Sequence, residues 1–154
     1  MKAFKTVLLL ALPASGKSEV RNLMAHRDKK VLEEDFHIGE NLQLDDFPYV
    51  NYRRRIDQEL AKIGESRIYY KGDEDTFFDG RDWGTLIHRL NEDYHDLLNR
   101  NFVKTDSAAE YLFERLDRCS VMVGLKPRLS LLDEKVRKAI AEKLEKEAEN
   151  IIKE

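Results

Sequence analysis

Residues 4–18 read FKTVLLLALPASGKS, and the meaning of this stretch decides the fold. Residues 4–12 are a nearly unbroken apolar run closed by proline and glycine, the pattern of a parallel strand covered on both faces. Directly after the turn, residues 17–26 place Val20, Leu23 and Met24 at helical spacing. The predicted order is strand, glycine turn, helix. The run from Val7 to Leu12 is about half of what a membrane span needs, and no small-residue cleavage pattern follows it. It reads as a buried strand, and no membrane partner is expected.

The turn itself carries chemistry. Residues 11–18, Ala-Leu-Pro-Ala-Ser-Gly-Lys-Ser, match G-x-x-x-x-G-K-[ST] at every position but the first. In a turn of this kind backbone N–H groups converge on phosphate oxygens, and the dipole of the helix that starts there favours the negative charge. The expected phosphate-contacting residues are Pro13, Ala14, Ser15, Gly16, Lys17, Ser18 and Glu19. Gly16 allows close backbone approach, Lys17 would neutralise the β and γ phosphates, and the Ser18 hydroxyl would ligate Mg2+. Ala11 in place of glycine adds only a methyl group, which a negative φ accommodates. The plainer reading is a strand-to-helix turn whose lysine faces water; the flanking apolar run and amphipathic helix favour binding of ATP or another nucleoside triphosphate.

Beyond the turn, Leu42 to Leu44 is the best second strand, ending in Asp45-Asp46. Pro48 suits the first turn of a helix that runs to about Ile63, where Gly64 supplies a stop. Ile68 to Tyr70 forms a short extended piece before the turn-rich KGDEDTFFDG. From Asp82 onward the pattern is helical. Leu86, Leu90, Tyr94 and Leu97 or Leu98 share a face to about Asn99, a further helix covers residues 107–119, and residues 131–152 carry one apolar stripe amid Glu and Lys pairs. The fold class predicted is α/β: a parallel sheet with flanking helices, helix-rich in its C-terminal half, with an incomplete sheet, since no later apolar run ends in an acid.

These residues resemble the P-loop kinase-like NTPases. Gln43-Leu44-Asp45-Asp46-Phe47 is similar to the motif that ends the second strand in the uridine and nicotinamide riboside kinase type. That resemblance implies a carboxylate beside the metal and the acceptor hydroxyl, which falls on Asp46 as base or on its neighbour Asp45, with Asp45 also a metal ligand. A closer resemblance, carried by ALPASGKSEVR, QLDDFPYV, RDWGTLI and LNEDY, is to a group of bacterial P-loop proteins of undefined activity. Members of that group are longer, so the resemblance implies that residues 1–154 are a single domain from the N-terminal part of a longer protein. Apart from any resemblance, Asp45-Asp46 has a structural reading too: an aspartate shortly before Pro48 caps the coming helix.

Composition bounds the rest. The chain has 154 residues, 42% of them apolar and 37% charged, with a net charge of −3, so no global field favours nucleic acid. One cysteine, Cys119, excludes an internal disulfide and fits a reducing, cytoplasmic setting. Arg53, Arg54 and Arg55 read as a solvated helix face. In TFFDGRDW, Asp82 reads as a helix cap and Trp83 as core; the resemblance to the riboside kinases, which carry a similar stretch near the acceptor site, instead implies Arg81 or Trp83 on a substrate. Glu92-x-x-His95 has the spacing of half a di-iron site, with no second copy. The function expected is Mg2+-dependent phosphoryl transfer from ATP to a small hydroxyl-bearing acceptor, with Lys17, Asp46 and Asp45 catalytic. Two rivals remain: a nucleotide-responsive module whose terminal helix meets a partner or missing domain, and a purely structural helical domain.

Overall fold

The computed structural model describes residues 3–4, 7, 16–39, 44–101 and 103–153, and it divides into two compact units, residues 1–43 and 44–154. Among the described residues there are six helices and no β-strand; the one β feature is an isolated antiparallel bridge between Tyr70 and Phe77. The expected α/β parallel sheet is therefore overturned by an all-helical arrangement. Phe4, Val7 and Leu44 lie outside any strand, while residues 5–6, 8–12 and 42–43 of the two expected strands lie outside the described residues. The physical reason is that the apolar residues of the described chain recur every three or four positions, so they are buried helix on helix. A strand without a neighbour leaves its N–H and C=O groups unsatisfied.

The first unit holds α1 (Lys17–His26) and α2 (Lys29–Asp35). Helix α1 matches the predicted span but buries none of its side chains, and Val20 and Leu23 are exposed. Helix α2 lies between the predicted first helix and the predicted second strand, where no helix was expected. Its start is fixed by Asp28, whose carboxylate accepts from the N–H of Lys30 at 2.8 Å and of Val31 at 3.4 Å. Leu32 and Ile38 are buried, and the Ile38 N–H closes the end of α2 on the Leu32 carbonyl.

The second unit packs α3 (Phe47–Lys62), α4 (Asp82–Asn99), α5 (Ala108–Met122) and α6 (Glu134–Lys153), with α5 against both α4 and α6, and α3 against α6. Pro48 sits in the first turn of α3, and Gly64, at φ 83°, ends it in the left-handed region that glycine tolerates. The core joins Tyr52, Ile56 and Leu60 of α3 to Leu112, Phe113 and Leu116 of α5 and to Ile140 and Leu144 of α6. Each such side chain contributes about 1.5–3 kcal/mol by burial. None of the described helices is long and apolar enough to cross a membrane.

Carboxylates tie the loops of this unit to its helices. Asp57 accepts from the backbone N–H of Ile68, Tyr69 and Tyr70. Asp117 accepts from Leu129 and Ser130, and Glu145 of α6 receives the Ser107 hydroxyl and the N–H groups of Ala108 and Ala109 at the start of α5. Free donors at a helix start are thereby satisfied from another helix.

Candidate functional site

Of the predicted phosphate turn, residues 11–15, which include Pro13, Ala14 and Ser15, lie outside the described residues. Gly16 occupies the left-handed region at φ 86°, ψ 15° and forms the N-cap of α1. An L side chain there would be strained although the space is open, so backbone conformation and not crowding calls for glycine. The first helical hydrogen bond runs from the Val20 N–H to the Gly16 carbonyl at 3.1 Å. The N–H groups of Lys17, Ser18 and Glu19 thus stand ahead of the helical ladder, at the positive end of its dipole. Ser18 and Glu19 are exposed and Lys17 is half-buried. A glycine in this conformation, followed at once by an ammonium and a hydroxyl on a first helical turn, suits a phosphate.

Asp45 and Asp46 belong to the other unit. The Asp45 carboxylate accepts from the Phe47 N–H at 3.2 Å, so Asp45 performs the helix-start role that its place before Pro48 suggests. Asp46 is the N-cap residue of α3 by position, and its carbonyl receives the N–H groups of Tyr49 and Val50 at 3.0 Å. No cluster of three or more His, Cys, Asp or Glu side chains suited to a metal occurs among the described residues.

The weaker candidates resolve differently. Arg53 is fully buried, which corrects the reading of the arginine triplet as a solvated face. Its Nη1 lies 3.4 Å from Asp82 Oδ1 and donates to the Asp82 carbonyl at 3.2 Å. Arg128 donates to both Asp82 oxygens and to the Ile68 carbonyl, and the guanidiniums of Arg53 and Arg128 lie over the Tyr69 ring at 4.8 and 4.4 Å. Burial pulls the pKa of Arg53 down. Burial acts the same way on Arg128, but its hydrogen bonds with Asp82 and the electrostatic attraction of Tyr69, Asp82 and Asp117 together outweigh it and leave the value raised. Asp82 is the buried counter-ion of two arginines, whereas the sequence suggests a cap.

Trp83 points outward, 54% exposed, with its edge on Phe77 at 5.0 Å, so the core role expected of it is also corrected. Arg81 is held by Asp79 and by the Gly124 carbonyl at 2.9 Å, so its guanidinium serves the turn. Glu92 accepts from Arg115 at 2.6 Å and Arg118 at 2.8 Å, which makes it the anchor of an arginine cluster and a poor metal ligand. Burial pushes the Cys119 thiol up to about 11, which keeps it protonated and unreactive at neutral pH.

Comparison with protein families, with curated proteins and with solved structures finds no match to this chain.

Proposed function

We propose that the chain binds the phosphates of ATP, with Mg2+, at the turn into α1, and transfers a phosphoryl group to a small hydroxyl-bearing acceptor. The observation that carries the reading is Gly16 in the left-handed region as N-cap of a helix that opens Lys17-Ser18-Glu19, within a sequence one residue short of a full phosphate-loop motif. Bound ATP and Mg2+ supply the γ-phosphoryl group and charge neutralisation. Lys17 stabilises the charge on the transferring group, and the Ser18 hydroxyl holds the metal. The acceptor oxygen would bond to the γ phosphorus as the β–γ bridge bond breaks, releasing ADP, and the likeness of Gln43-Leu44-Asp45-Asp46-Phe47 to the riboside kinase motif assigns the acceptor's proton to Asp46. The same likeness gives Asp45 a metal contact, beside its role at the start of α3.

Isothermal titration of the full chain with MgATP tests the first step. Saturable one-site binding is expected, weakened about 10- to 100-fold in Lys17→Ala, because a charge-assisted hydrogen bond to phosphate is worth about 1.5–3 kcal/mol. Absence of binding in the unaltered chain, or binding indifferent to Lys17→Ala, refutes the site. A second reading has its own support: a helix of 10 residues with no buried side chain is marginal alone, so an anion at its N-terminus would order it. Binding with unchanged ATP turnover in the presence of candidate nucleosides would assign the chain to that nucleotide-responsive class.

A further inference from the structure

We draw no further inference here: the strongest candidate, the apolar stripe that Trp83, Ile87, Leu97 and Leu98 leave exposed along α4, is an unpartnered helix face, and nothing in the structure shows what covers it.

Discussion

Substituting Asp82 by asparagine removes one charge and almost no volume from the centre of the second unit. The two guanidiniums that flank it, Arg53 with no exposed surface and Arg128 with 18% of its side chain exposed, would then share a low-dielectric space with no counter-ion. Removing the partner of a buried charge costs about 3–5 kcal/mol, because the charge left behind is neither solvated nor paired. The contrast variant is Arg53→Met. There Asp82 keeps both hydrogen bonds from Arg128, the Arg53 Nε and Nη2 atoms that have no acceptor disappear, and a flexible apolar chain fills the space over Tyr69 and Phe77. Its expected cost is about 1–2 kcal/mol, mostly lost cation–π contact. Urea unfolding followed by Trp83 emission measures both, since Trp83 follows Asp82 directly and touches Phe77. At about 4 °C per kcal/mol, Asp82→Asn should also melt about 12–20 °C lower. If Arg53→Met is as damaging as Asp82→Asn, or if Asp82→Asn costs less than about 1 kcal/mol, the account of Asp82 as shared counter-ion is wrong.

Acid should loosen the same unit. Burial alone would raise the carboxyls of Glu92, Asp96 and Glu145, yet hydrogen bonds from Arg115 and Arg118, from Arg115 and Asn101, and from Ser107, Ala108 and Ala109 outweigh it and leave all three below their ordinary values. A depressed folded-state value gives stability that is present above the unfolded value and lost as pH falls through the folded one, so the thermal midpoint should hold above about pH 5 and fall towards pH 3. Glu92→Gln should lower the midpoint at pH 7 and flatten that acid limb in a thermal scan. Asp57→Ala leaves the N–H groups of Ile68, Tyr69 and Tyr70 without their acceptor and should cost about 3 kcal/mol by chemical denaturation. Asp57→Asn should recover part of this, since burial already raises the Asp57 pKa and one amide oxygen can still accept; no recovery would mean that the charge itself is required.

Periodicity made most of the helices legible. Pro48 and Gly64 bracket α3 as their backbone preferences require, and Ser107, the first residue of the predicted span, caps α5, its hydroxyl accepting from the Glu110 N–H. The fold class was not legible, because a run of apolar residues such as 4–12 fits a buried strand and says nothing about whether neighbours exist to pair with it. Arg53 shows a signal that was present and outweighed. Along α3, Tyr49, Tyr52, Ile56 and Leu60 share one side, and at about 100° per residue Arg53 falls among them while Arg54 and Arg55 do not. The usual solvation of arginine argued otherwise. Its counter-ions could not have been found this way, since Asp82 is 29 positions distant and the Asp82–Arg128 pairing spans 46. The left-handed conformation of Gly16 was not read from the motif, which asked of this glycine only close backbone approach.

The second unit inverts the usual placement of charge on α4, and this bears on what each face does. Asp82 and Arg89 lie on its buried side, paired to Arg53, Arg128 and Asp93, while Trp83, Ile87 and Leu98 lie on its open side. Buried ion pairs of this kind add little net stability over apolar packing, yet they tolerate few alternative partners, so they fix how α4 sits against α3 and the loop that carries Arg128. Apolar contact is the reverse: it is strong per unit area and indifferent to register. A helix held in one orientation by charge therefore keeps its apolar stripe at a fixed angle within the unit. Asp82→Asn should therefore destabilise the unit, whereas a polar residue at exposed Ile87 or Leu98 should leave its urea midpoint nearly unchanged.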